Sequence, residues 1–212
     1  NFQLLQKLSS EDEVLPTTTP WDAVVIGGGP AGLTAACRLS FQGLNVALVE
    51  PKQSFGSPTG VSSKVLREVA MDHGVSTSWD DVLAIRQLID QNDAKRVASQ
   101  LKRYGVTFFK GTGEIIGCDS DSTTKVVVSD GIDSFTELLA HKVVVSTGSK
   151  ARRLKGIPFD QAGFYDSDSI ASLRSKPESL FVQGTGIIAL EYATIFAEMG
   201  VRVCVAARGS RE

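Results

Sequence analysis

Gly27, Gly29 and Gly32 stand in the spacing GxGxxG directly behind the apolar run of residues 23–26. That spacing suits a dinucleotide pyrophosphate: the first glycine makes a tight turn, the second leaves room for phosphate oxygens, and the third lets a helix approach the strand closely. Pro30 and Ala31 follow, with Pro30 at a helix start where its missing N–H costs little. The unpaired amides of that helix start then face the anion. Glu50, eighteen residues past Gly32, puts a carboxylate where an adenosine ribose offers its hydroxyls. Gly27, Gly29, Pro30, Ala31, Gly32 and Glu50 together predict an adenine-dinucleotide site.

A second fingerprint runs Gly184, Thr185, Gly186, Ile187, Ile188 and Ala189, with alanine in the third glycine position. Gly184, Gly186 and Ile188 are its candidate binding residues. The position aligned with Glu50 is Ala207, and Arg208 follows at once. Losing the carboxylate removes repulsion, and a guanidinium can pair with a phosphate. The expectation is a ribose 2′-phosphate on Arg208, hence NADP(H).

Both turns need a strand before and a helix behind. The pattern predicts a strand at 23–26, a helix over 30–42 and a strand at 45–49. Apolar residues 61, 65 and 69 predict a helix over 59–73. Val82, Ile85, Ile89, Val97, Leu101 and Tyr104 mark a longer helix that Gly105 stops. A strand at 106–109 precedes an antiparallel meander at 114–116, 125–128 and 135–139. Residues 142–145 read as a buried strand running into Thr147 and Gly148. Strand 180–182, helix 187–199 and strand 201–206 repeat the opening unit, and residues 43–50 align with 200–207 without a gap. The fold class is α/β: two tandem Rossmann-like dinucleotide-binding units with an antiparallel β-meander inserted in the first. Residues 1–20 read as a polar leader, 21–155 as the first domain, and 156–212 as the start of the second.

The 212 residues are 42% hydrophobic, which excludes a disordered charged polymer. Lys plus Arg is 22 against 24 for Asp plus Glu, a net charge of −2 that offers no field for nucleic acid or an anionic membrane. No run reaches the roughly 18 apolar residues of a spanning helix. Cys37, Cys118 and Cys204 are widely spaced, and with two histidines they make no metal site. A reducing, aqueous compartment is the expectation, with the cytoplasm as its default. The chain opens on Asn1 and ends on Glu212, as a fragment or processed chain would.

Two dinucleotide sites in series suit a flavin and a nicotinamide exchanging hydride. The stretches 24–32, 62–67, 146–149, 165–170 and 184–193 resemble the FAD-dependent pyridine nucleotide disulfide oxidoreductases, a glutathione reductase-like fold. Residues 165–170 and the run Glu191, Tyr192, Ala193 look most like the soluble transhydrogenases of that family. The resemblance implies FAD on the first fingerprint and NAD or NADP on the second. It also implies an ion pair of Lys64 and Glu191 beside flavin N5, where a cation favours negative charge on the ring. Thr147 and Gly148 match a turn beside the FAD, and Gly113 a backbone contact to the adenine. The family further implies a homodimer whose dimerisation domain is missing from these residues.

The pattern breaks in one place. Disulfide-using relatives carry CxxxxC between Glu50 and Lys64, whereas residues 51–60 contain no cysteine and Gly60 stands at the flavin-facing position. Serine and glycine form no mixed disulfide. The implied activity is therefore hydride transfer between NADPH and NAD⁺ through FAD. The alternatives are an FAD-dependent NAD(P)H oxidoreductase with another small acceptor such as a quinone, or a non-catalytic FAD-binding remnant.

Overall fold

The computed structural model describes residues 19–51, 58–76, 78–118, 122–131, 134–159 and 161–207. They form two compact units. One draws on residues 1–56 and 91–148, the other on 57–90 and 149–212. The second domain therefore gathers a segment from before the meander as well as the tail, where the sequence reading placed one boundary near 155. The expected leader falls almost wholly outside the described residues.

In the first unit, β1 (Trp21–Ile26), α1 (Pro30–Phe41) and β2 (Val46–Glu50) make the expected strand, turn, helix and strand. β3 (Thr107–Lys110), β4 (Thr112–Cys118), β5 (Thr124–Ser129) and β6 (Phe135–Val145) complete a six-stranded sheet in the order β3-β2-β1-β6-β5-β4. β1 is parallel to β2 and β6, and β2 to β3. β4, β5 and β6 are antiparallel in sequence, which is the predicted meander.

Strands buried on both faces read as unbroken apolar runs. Ala23, Val25, Val46 and Leu48 pack with Leu33 and Ala36 of α1 and with Val97, Leu101 and Val106. Val24, Ile26, Ala47 and Val49 pack on the other side with Val126, Val128, Leu138 and Ala140 of the meander. The meander is therefore the cover of the sheet's second face.

The strands expected at 135–139 and 142–145 are one strand. Ala140 pairs at once with Thr124 of β5 and Trp21 of β1, so β6 passes from an antiparallel neighbour to a parallel one without a break. The exposed His141 and Lys142 look like a break in sequence, but no glycine or proline stands there to make one. The end of β6 is half-buried to exposed rather than buried.

The second unit contains α2 (Pro58–His73), the opening turns of α3 (Trp79–Tyr104), β7 (Ser179–Gln183), α4 (Ile187–Glu198) and β8 (Arg202–Ala206). Val65, Leu66, Val69 and Ala70 make one face of α2 and pack with Val82, Tyr192, Ile195, Phe196, Met199 and Val201. Trp79 stacks on Phe196 with centroids 6.2 Å apart, and its indole N–H donates to the Leu173 carbonyl at 3.3 Å. β7 and β8 form a parallel pair, and the outward side chains Phe181 and Val205 are exposed, as a two-stranded sheet with one helix leaves them. Among the described residues, no helix is long and apolar enough to cross a membrane.

Candidate functional site

The first glycine turn is dictated by close approach. Gly27 has φ +107°, its amide donates to Val49 O at 2.8 Å, and a Cβ there would lie 2.3 Å from Ser146 O. A Cβ on Gly32 would lie 1.8 Å from Gly27 O, so the third glycine brings helix against turn as its spacing predicts. Gly29 is the N-cap of α1 at φ −70° and ψ 179°, with no side-chain cap and Pro30 behind it. Pro30 and Ala31 are exposed there. The first helical bond runs from Leu33 N to Gly29 O at 2.9 Å, and the amides before it face outward.

The rest of the predicted first site gathers around this turn. The Glu50 carboxylate, at the end of β2, accepts the Gly28 amide at 2.6 Å. Thr147 follows β6, its amide 2.9 Å from where a Gly27 Cβ would stand, and Gly148 has φ +71°. Gly113 on β4 lies against Ile26 and Val49, with a Cβ position 3.2 Å from each. A Cβ on Gly29 or Gly148 would meet nothing within 4 Å. The result is an open cradle floored by backbone, with outward amides on one side and a carboxylate on the other. This donor set fits the pyrophosphate and ribose of a dinucleotide such as FAD.

The backbone bonds of the second turn repeat those of the first at one constant offset. Gly184 has φ +111° and donates to Ala206 O at 2.8 Å. Gly186 is the N-cap at φ −71°, and Leu190 N donates to its carbonyl at 3.0 Å. Gly43 and Gly200 close the two helices at φ +88° and +78°. Cβ atoms on Gly184 and Gly186 would meet nothing within 4 Å, and Ile188 is exposed. What the second turn lacks is the carboxylate, since Ala207 stands in Glu50's place. Arg208 lies outside the described residues, as do residues 52–57 of the cysteine-free connection; Gly60 falls in the first turn of α2.

Lys64 and Glu191 both belong to the second unit, on helices that share its core. Lys64 is exposed between buried Ser63 and Val65, and Glu191 is half-buried beside buried Tyr192. Ion pairs among the described residues include Asp93–Arg96, Lys125–Glu137 and Arg153–Asp166, and no direct bridge joins Lys64 to Glu191. Burial pushes the Tyr192 hydroxyl up to about 12, assisted by Glu191 and Asp168 and opposed by Arg86. Tyr192 stays protonated and donates to Ser167 O at 3.3 Å.

Two features escaped the sequence reading. One is Ser146, whose hydroxyl is within 3.1 Å of Ile26 O and 3.0 Å of Gly27 O. The other is the loop at 166–169. Asp166 Oδ1 accepts the amides of Asp168 at 3.1 Å and Ser169 at 2.7 Å, and its Oδ2 accepts Arg153 Nε at 2.9 Å. Burial pushes the Asp166 carboxyl up, but the Ser169 amide and hydroxyl and the Arg153 guanidinium outweigh it and hold the group at about 2. A carboxylate depressed in the folded state stabilises above its unfolded value and loses that contribution as pH falls through the folded one. The urea midpoint should therefore drop between pH 4 and about pH 2, and Asp166→Asn should flatten that part of the profile. An unchanged slope in the variant would show that Asp166 contributes nothing there.

A family model described as pyridine nucleotide-disulphide oxidoreductase matches residues 21–212. Soluble pyridine nucleotide transhydrogenase of Aliivibrio fischeri is 30% identical over 88% of this chain and 42% of the relative. The protein of that name from Mycobacterium bovis (BCG Pasteur) is 33% identical over 87% of this chain and 43% of the relative. The chain thus spans less than half the length of these curated relatives. In structure, the HOCl-induced flavoprotein disulfide reductase RclA of Escherichia coli, as its Cu(II) complex, superposes with a TM-score of 0.76. That match has 24% identity and covers 89% of this chain and 42% of RclA, a likeness of fold.

Proposed function

The chain belongs to the pyridine nucleotide-disulphide oxidoreductase family, and from that premise we propose that it serves hydride transfer between NADPH and NAD⁺ by way of bound FAD. The observation that carries this reading is the pair of glycine turns alike in their backbone bonds, one ending on a carboxylate and the other on Ala207. Two like cradles in one chain call for two dinucleotides, and the residue that differs is the one that meets the ribose.

FAD, when bound, supplies a two-electron carrier able to exchange hydride with nicotinamide. This chain's residues bind and orient. Gly27, Gly29, Pro30, Ala31, Gly32, Glu50, Gly113, Thr147 and Gly148 hold the adenosine and pyrophosphate of FAD. Gly184, Gly186 and Ile188 form the nicotinamide dinucleotide cradle, and Arg208 takes a 2′-phosphate. Lys64 would supply positive charge where a bound flavin ring gains electrons, with Glu191 as the acid proposed beside it. With no cysteine in residues 51–60, a dithiol relay has no thiolate to use.

The purified full-length protein should show flavin absorbance, bleach when NADPH is added anaerobically, and then reduce thionicotinamide-NAD⁺. NADPH should bind more tightly than NADH. Flavin that is bound yet stays unbleached would reduce the protein to a binding remnant, and quinone reduction in place of thionicotinamide-NAD⁺ reduction would change the acceptor. Lys64→Met should slow flavin reduction by about tenfold, roughly 1.4 kcal/mol of barrier. Reduction kinetics and flavin potential equal to wild type would remove Lys64 from the site.

A further inference from the structure

The peptide joining Gly27 to Gly28 is gripped at both poles. Its carbonyl accepts the Ser146 hydroxyl at 3.0 Å, and its N–H donates to Glu50 Oε2 at 2.6 Å. The two side chains come from the ends of different strands, β6 and β2, that flank β1. Because a peptide is planar, whatever turns the carbonyl turns the amide with it. Glycine on both sides leaves this plane with little intrinsic resistance to rotation. We infer that Ser146 is a positioning residue for the ribose site: its hydroxyl fixes the Gly27–Gly28 peptide, which in turn holds the Glu50 carboxylate.

The hydroxyl is well placed for this. It also lies 3.1 Å from Ile26 O, but that carbonyl already accepts Ser146 N at 2.8 Å, whereas among the described residues no other N–H or O–H donates to Gly27 O. It is wedged under the helix start as well, since a Cβ on Gly32 would stand 2.5 Å from Ser146 Oγ. A carboxylate has about four acceptor positions, so Glu50 can keep the Gly28 amide and still receive ribose hydroxyls. Hydrogen bonds in such a chain polarise one another, and the serine therefore acts on the sugar through one peptide and one carboxylate.

The inference rests on the reading of the first turn as the FAD adenosine site, and the experiment separates the two. Full-length apoprotein is titrated with FAD, ADP and 2′-deoxy-ADP in wild type, Ser146→Ala, Glu50→Ala and the double variant. Ser146→Ala should weaken FAD about tenfold and bring the preference for ADP over 2′-deoxy-ADP close to one. The double variant should lose little beyond Glu50→Ala alone, because both act along one path. A serine that merely supports the strand would weaken ADP and 2′-deoxy-ADP equally, leave the preference intact and add fully to Glu50→Ala; that result overturns the inference while the FAD reading stands. Wild type that takes up neither FAD nor ADP overturns both. Should Ser146→Ala not fold, Ser146→Cys, with a much weaker donor, replaces it, and a wild-type ribose preference in that variant counts against the role.

Discussion

Gly32→Ala should cost the first unit its native packing, with the urea midpoint falling far below that of wild type and no flavin retained on purification. The methyl carbon would sit 1.8 Å from Gly27 O, 2.5 Å from Ser146 Oγ and 3.0 Å from Gly27 C. Two of these three are backbone atoms of a turn that is itself pinned, since Gly27 N is bonded to Val49 O at 2.8 Å. A flexible side-chain end could swing away, but a pinned carbonyl cannot. Relief requires α1 to back off from β1, which opens the contacts of Leu33 and Ala36 with Val25 and Leu48. Overpacking at a site this tight costs about 3 kcal/mol or more, against a total stability of about 5–15 kcal/mol for an ordinary domain. Ala189 holds the same place in the second turn, so alanine is compatible with this type of turn. What forbids it at Gly32 is the carbonyl and serine already packed there. A wild-type midpoint in Gly32→Ala would mean that α1 can retreat without loss and that the close approach is not required.

This contrast marks what the sequence could reveal. The turn, the helix start at Pro30 and the acid at Glu50 depend on local spacing, and so does the repeat that aligns Gly43 with Gly200. All of these were legible. The meander's three strands were legible too, because polar turns punctuate them. The continuity of β6 was not, since it depends on Ala140 meeting partners on two sides, which neither neighbour in sequence announces. Nor was the grouping of residues 57–90 with the tail, which is set by Val65, Leu66 and Val69 packing with Tyr192 and Phe196 more than a hundred positions away. Ser146 stands within the stretch 146–149, yet its hydroxyl acquires meaning only when β6 lies beside β1. Asp166 likewise looks like any loop acid until Arg153 and Ser169 are brought to it.

Gly29→Ala should do the opposite of Gly32→Ala: leave the fold intact and abolish tight FAD binding. Gly29 sits at φ −70° and ψ 179°, extended backbone open to any residue, and an added Cβ would meet nothing within 4 Å. Its effect on stability should fall within about 0.5 kcal/mol of wild type, with a small gain from the stiffer unfolded chain. The space the methyl group enters is the open side of the cradle, next to the outward amides of α1. A pyrophosphate drawn to those amides must come within hydrogen-bonding distance of backbone, and a methyl group at the N-cap holds it off. A loss of about 2.7 kcal/mol corresponds to roughly a hundredfold rise in Kd. The measurement is a flavin titration of the apoprotein beside a urea melt of the same sample. Unchanged FAD affinity with unchanged stability would show that the phosphates do not pass Gly29. They would then have to bind elsewhere, and the match between the open side of this turn and a dinucleotide would lose its meaning. A folded protein that has lost only its flavin would show that the space around Gly29 is left for the ligand, while the space around Gly32 is taken by the protein itself.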